Sequence, residues 1–319
     1  MLLKYTLPFN KITLNTRGLA GGKGSALGEM FNAHIPVPPG FVILTTCLAD
    51  SLKNNPKIGE MINSLELKNF KDQKKIERFS QKIRNLIDSL EVPDTVWSAI
   101  KKEYTKQFKS QRTLVAVRSS AISEDSSDTS WAGELESFTN VTADDLIKYV
   151  KKCWISIFST RALYYRFERK INFSDFNVAV VVQKMIQSEK AGVCFTANPV
   201  SQNRNEMIIE AAYGFGEAVV LSHVTPDRYT IDKSKDLILE IEVNSQVKQL
   251  VLNKTRGDKW VKTPKSFSLK QKLQGKEIVK LYQLCKTVEK HFAFPCDIEW
   301  AMERKKFYIV QSRPITTLK

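Results

Sequence analysis

The sequence predicts an α+β fold, and three observations carry that expectation. Apolar residues recur at three- and four-residue spacing through Cys47 to Ser110 and Leu146 to Lys170, the period of a helix buried along one stripe. After Gln183, short apolar runs bounded by glycine and proline turns replace that pattern, as strands do. The last such stretch, Cys296 to Pro314, has two alternating arms around a charged tip at Glu303 to Lys306, the layout of a β-hairpin. A chain of 319 residues suits about two domains. The change of pattern near Gln183 places them at 1–182, helix-rich, and 183–319, strand-rich.

In order, Gly21-Gly22-Lys23-Gly24-Ser25 forms a glycine-rich turn opening into a helix through Phe31. Its backbone amides are candidate phosphate donors and Lys23 a candidate cation, although Gly24 stands where a Walker loop needs Ser or Thr. An ordinary glycine turn explains the same residues. Ile35 to Gly40 is a rigid proline connector leading to a strand at Phe41 to Leu44. Within the helical segment Ile76, Phe79, Ile83, Leu86, Ile87 and Leu90 share a stripe, Pro93-Asp94 punctuates it, and a further helix follows from Thr95. Leu114 to Val117 is a strand ending at Arg118-Ser119-Ser120, an anion-ready junction or a capped surface loop. A helix over 146–170 follows, then strands at Val178 to Val182, Gly192 to Thr196, Met207 to Glu210 and Arg228 to Ile231. Gly214 to Glu217 is a second glycine turn, and Lys270 to His291 is helical.

In the hairpin, an odd loop would set Glu299 opposite Gln311 and Asp297 opposite Arg313. Ile298, Trp300, Met302, Tyr308 and Val310 would then form an apolar face, with Asp297, Glu299, Gln311 and Arg313 on the other. That polar face is either solvated, as antiparallel sheets commonly are, or a site. Oxygen ligands beside a guanidinium suit a metal-bound phosphate.

Composition is that of an ordinary globular chain, 42% hydrophobic and 26% charged. The start of the chain lacks the features of a secretion signal, and no apolar run approaches the ~18 residues of a membrane helix. Five cysteines, widely spaced and without a CxxC pair, are expected to be reduced and mostly buried, pointing to the cytoplasm. A net charge of +15 raises a nucleic-acid partner. The lysines of Ser51 to Ser110 and Asp232 to Lys276 are interleaved with acids and apolar residues at helical spacing, so they read as solvated helix faces, and neither nucleic acid nor membrane is expected as a partner.

Seven segments, taken together, resemble one family. They are Gly21 to Met30, Val117 to Ala121 with Glu124-Asp125, Ala132-Gly133, Val182 to Met185, Gly192 to Pro199, Glu210 to Glu217, and Asp297 to Trp300 with Gln311 to Pro314. Their order and content resemble the N-terminal nucleotide-binding domain of the phosphoenolpyruvate synthase and pyruvate phosphate dikinase family, found also in rifamycin phosphotransferases. The similarity covers essentially the whole chain.

The resemblance implies an ATP-grasp fold, two α+β lobes with mixed and antiparallel sheets clasping a nucleotide. It makes Lys23, Arg118 and Arg313 the phosphate contacts that serve catalysis. It makes Gln183 to Met185 the strand lining adenine, Glu210 a nucleotide contact, and Glu299 and Gln311 ligands of Mg²⁺. The implied reaction moves the β-phosphoryl of ATP to a histidine carrier, giving AMP and phosphate. His34, His223 and His291 lack the glycine- and serine-rich context of such a carrier, so it is expected on another chain or a missing segment. Departures fall after Arg118: Ile122, Trp131 and Glu134-Leu135 stand where threonine, phenylalanine and a glutamine pair are usual. Alternatives are the matching part of an antibiotic phosphotransferase and a noncatalytic ATP sensor.

Overall fold

A computed structural model of the chain describes residues 5–53, 55–64, 72–122, 125–126, 129–130, 136–168, 178–253 and 257–318. These form two compact units, Met1–Gly28 with Pro39–Lys184, and Glu29–Pro38 with Met185–Lys319. The fold is α+β with antiparallel sheets. Where one boundary is expected at 182/183, the chain passes between units three times. Glu29–Pro38 belongs to the second unit, where the Ile309 amide donates to the Pro36 carbonyl at 2.9 Å.

The first unit contains, in chain order, β1 (Thr6–Pro8), α1 (Arg17–Asn32, which ends in the second unit), β2 (Gly40–Ile43), α2 (Thr45–Lys53), α3 (Pro56–Asn63), α4 (Gln73–Asp88) and α5 (Asp94–Phe108). It continues with β3 (Val115–Ala121), the short pair β4 (Asp125–Ser126) and β5 (Thr129–Ser130), β6 (Ser137–Val141), α6 (Leu146–Ser156), α7 (Thr160–Glu168) and β7 (Val178–Lys184). Five strands make a sheet in the order β1-β2-β7-β3-β6. Its Phe41, Ile43, Val117, Val180 and Val182 side chains turn to one face, where they join a core with Ile83, Ile100, Tyr104, Trp154 and Phe158 from the helices. The helical period expected in α4 is realised: Ile76, Ile83 and Ile87 are buried, and Asp72 caps the helix by accepting the Lys75 amide.

The single helix expected over 146–170 is instead α6 and α7. Ile157 and Phe158 turn wholly into the core between them, and the Ser159 hydroxyl accepts the Ala162 amide at the start of α7. Arg118 also departs from expectation. It lies inside β3 rather than at its end, between Val181 on β7 and Ser137 on β6.

The second unit contains β8 (Lys190–Phe195), β9 (Glu206–Tyr213), α8 (Glu217–Val220), β10 (Asp227–Asp232), β11 (Leu237–Glu242), β12 (Lys248–Leu252), β13 (Asp258–Lys262), α9 (Lys265–Ser268), α10 (Gly275–Phe292), β14 (Cys296–Glu303) and β15 (Lys306–Pro314). Six strands form a sheet in the order β11-β10-β9-β8-β14-β15. The amphipathic α10 buries Ile278, Leu281, Cys285 and Val288 and packs against β14. Ion pairs Lys190–Glu277 at 2.8 Å and Lys233–Glu289 at 2.7 Å tie it to the sheet. It starts at Gly275 rather than Lys270, because Gln274 and Glu277 close a capping box there.

Asp232 to Lys276, expected as a solvated helix face, holds β11 and the β12–β13 hairpin. Lysines interleaved with apolar residues satisfy a period of two as readily as 3.6, and Leu250 is the β12 residue turned inward, against Phe215 and Ala218. All five cysteines are free and buried. Among the described residues, no helix is long and apolar enough to cross a membrane.

Candidate functional site

In the first unit the glycine-rich segment is folded onto β3. Gly21 breaks α1 with φ +71°, and a Cβ there would stand 2.1 Å from the Ser120 carbonyl oxygen, so only glycine fits. That approach lets the Ser120 hydroxyl donate to the Ala20 carbonyl at 2.9 Å and accept the Gly24 amide at 3.1 Å. The Gly24 amide, one of the candidate donors in the glycine-rich turn, is therefore engaged by the chain itself. Lys23, 6% exposed, donates from Nζ to the Ser119 carbonyl at 3.2 Å. Gly24 packs on Val42, which pairs with Val181, which pairs with Arg118. Paired side chains share a face, so α1 covers the face of the sheet that bears Arg118. Gln183, two residues beyond Val181 and buried between Gly40 and Ala116, lies on that face too. It is the face turned away from the helical core.

In the second unit the hairpin register places Glu299 opposite Gln311 and Asp297 opposite Arg313. The loop itself is not odd. Arg304 and Lys305, at φ 50° and 62°, make a two-residue turn, and the offset arises at a bulge beside Glu299, where Val310 is the extra residue. Beyond the bulge the alternation reverses. Phe307 and Ile309 join Trp300 and Met302 on the buried face, while Tyr308 and Val310, expected there, pack with Ile186, Ala191 and Ala301 on the other.

The paired registers extend the polar face across the sheet. Glu242, Arg228, Glu210, Val193, Glu299 and Gln311 form one row over six strands, and Phe195, Asp297 and Arg313 stand in the next. Over this face Val193 packs with Val219 of α8 and with Val224. Arg313 grips Asp297, with Nε at 2.9 Å and Nη2 at 2.7 Å from Oδ2. Burial raises the Asp297 carboxyl above its usual range against the opposing pull of Arg313. Burial likewise raises Glu210, opposed by Arg228. Met185 leaves the first sheet and packs against Phe215, Ala218 and Leu250.

Of the predicted residues, Lys23, Arg118 and Gln183 thus belong to one face of the first sheet. Glu210, Glu299, Gln311 and Arg313 belong to one face of the second, and Met185 to its apolar margin. A hard divalent cation takes one or two protein oxygens and fills its shell with water and phosphate. The Glu299 carboxylate and Gln311 carboxamide, opposed on one face, fit that donor set. Glu124, Ala132-Gly133 and the departures at Trp131 and Glu134-Leu135 lie outside the described residues. Arg228 was not singled out from the sequence. Its alternation with Thr230 along β10 is the signal that could have placed it beside Glu210, and its buried Nε has no hydrogen-bond partner.

The chain matches the pyruvate phosphate dikinase, AMP/ATP-binding domain family over residues 17–319. It is 38% identical over 324 residues to a probable phosphoenolpyruvate synthase of Methanocaldococcus jannaschii, covering 99% of this chain and 27% of that protein. It is 37% identical to the phosphoenolpyruvate synthase of Pyrococcus furiosus, covering 100% of this chain and 44% of that one. With the rifampicin phosphotransferase of Bacillus subtilis the identity is 33%, over 98% of this chain and 36% of the relative. The chain therefore spans less than half the length of each of these relatives.

Proposed function

The chain belongs to the family of pyruvate phosphate dikinase AMP/ATP-binding domains, and on that premise we propose that it binds ATP with Mg²⁺, in an ATP-grasp manner, and serves a phosphotransferase. The observation that best supports the reading is the second unit's polar face, where a cation and opposed oxygen donors share adjoining rows. In this proposal Lys23, Arg118 and Arg313 contact phosphates, and Gln183 and Met185 line adenine. Glu210 contacts the nucleotide, and Glu299 and Gln311 hold Mg²⁺. When bound, the ion would neutralise phosphate charge. The chain's own contribution is positioning and electrostatics: its guanidinium and ammonium groups fix the phosphates and offset charge that builds on the leaving oxygen.

The step we propose forms a bond between a histidine nitrogen and the β-phosphorus and breaks the bond from that phosphorus to the α,β-bridging oxygen, which leaves with AMP. The γ-phosphoryl passes to water as phosphate. The histidine belongs to a carrier domain outside these residues. His34 sits in a turn at φ 58°, His223 stacks edge-on to Trp260, and His291 stands 4.0 Å from Glu29, so none is proposed as the acceptor. The synthase relatives point to pyruvate as the final acceptor, and the Bacillus subtilis relative supports an antibiotic as the alternative. Five free thiols suit a reducing compartment, and the cytoplasm is the proposed location.

Incubation with ATP labelled in the β-phosphoryl, with and without a histidine-bearing carrier domain from the same cell, tests the reading. We expect label on the carrier, AMP only in its presence, and no phosphoenolpyruvate from the chain with pyruvate alone. Glu299→Ala should lower transfer far more than ATP binding. Pyruvate-dependent AMP formation by the chain alone, or transfer unaffected by Glu299→Ala, would overturn it.

A further inference from the structure

The Asp297–Arg313 pair of the hairpin lies one residue from the start of β14. Cys296 opens β14 opposite Pro314, and the hairpin bond beside that pair runs from the Ile315 amide to the Pro295 carbonyl at 3.0 Å, so Cys296 turns its own peptide groups to its other neighbour, β8. On that side its partner is Thr196, just beyond β8. The Thr196 amide donates to the Cys296 carbonyl at 2.9 Å, and the Thr196 hydroxyl accepts the Cys296 amide at 2.8 Å. That hydroxyl also lies 2.9 Å from Glu289 Oε1 of α10. An ionised carboxylate can only accept and an amide can only donate, so the hydroxyl hydrogen must point to Glu289. Lys233 in turn holds both Glu289 oxygens, at 2.7 and 2.9 Å. Thr196 is fully buried, so nothing from solvent replaces these bonds.

We propose that Thr196, oriented by Glu289 and Lys233, is a positioning residue that fixes the start of β14 and so holds Asp297 against Arg313. The inference rests on the nucleotide reading for its functional consequence, because Arg313 is the proposed contact to the terminal phosphates. Its structural part stands separately. Asp297 follows Cys296 directly, and Nε and Nη2 of Arg313 reach a single Asp297 oxygen. A small shift of the β14 backbone therefore reorients the guanidinium. A packing role alone would make valine, similar in shape, an adequate replacement.

The test compares wild type, Thr196→Ser, Thr196→Val and Glu289→Gln, each with Arg313 and with Arg313→Ala. Exchange of the Arg313 Nε–H without nucleotide is read by NMR, and Mg²⁺-ATP affinity by calorimetry. Losing a buried hydroxyl that satisfies an amide should weaken ATP binding about tenfold in Thr196→Val. Serine should restore the affinity to within about twofold, since it keeps both bonds. Glu289→Gln, which keeps an acceptor but loses the Lys233 pair, should fall between them; it carries the test if the valine variant does not fold. With Arg313→Ala these losses should vanish, because the network acts through that residue. Unchanged Arg313 Nε–H exchange in both network variants, or a loss of affinity that persists with Arg313→Ala, would overturn the inference. Absence of ATP binding by wild type would instead overturn the nucleotide reading, and the exchange measurement would still decide whether Thr196 positions Arg313.

Discussion

At residue scale, the chain places its constraints where two backbones meet closely. Gly21 needs a positive φ and sits against the Ser120 carbonyl, so Gly21→Ala adds backbone strain and a steric clash. We expect a loss of roughly 2–4 kcal/mol, measured by urea unfolding, and a weakened Lys23 contact. A second constraint is the Asp227 carboxylate, wholly buried with Lys272. It accepts from the Lys272 ammonium at 2.7 Å, the Lys272 amide at 2.7 Å, the Asn244 amide at 2.9 Å and the Tyr229 hydroxyl at 3.1 Å. Lys272→Met would strand that charge and should cost about 3–5 kcal/mol on the same assay, whereas unchanged stability would show the pair to be dispensable. Lysine at 272 reads in the sequence as one more solvated charge. Its burial is set by residues 45 positions away, which local spacing cannot reveal.

At element scale, the long amphipathic helices were legible because one buried stripe at helical period fixes them, as Ile76, Ile83 and Ile87 do in α4. The hairpin was legible in its pairs and not in its turn. Glu299 opposite Gln311 follows from alternation, while the bulge that reverses the faces leaves no compositional mark beyond Val310. β11, with five of its six residues exposed, offers no buried face to announce it. The turn makes a prediction of its own. Arg304 and Lys305 both hold positive φ, which favours Asn-Gly. Replacing them by Asn and Gly should raise stability by roughly 0.5–1 kcal/mol in thermal melts and leave ATP affinity unchanged. A fall in stability would contradict the turn assignment.

At the scale of the whole molecule, each unit is a sheet with one face committed to a core and the other bearing the candidate site residues. The sequence shows this division only in part: the strands follow from its apolar runs, yet the assignment of Glu29–Pro38 to the second unit depends on a proline-rich connector that has no periodicity to read. The surplus of 15 positive charges is spread over both units, so added duplex DNA is expected to leave ATP affinity unchanged. The proposal with most at stake is Mg²⁺-dependent binding of ATP by this chain. Calorimetric titration of the purified chain with ATP tests it most directly, with Mg²⁺ and with chelator, for wild type, Arg118→Ala and Arg313→Ala. We expect Mg²⁺-dependent binding of one ATP per chain, weakened about tenfold or more by either substitution. Binding that is absent, or indifferent to Mg²⁺ and to the loss of Arg118, would contradict it.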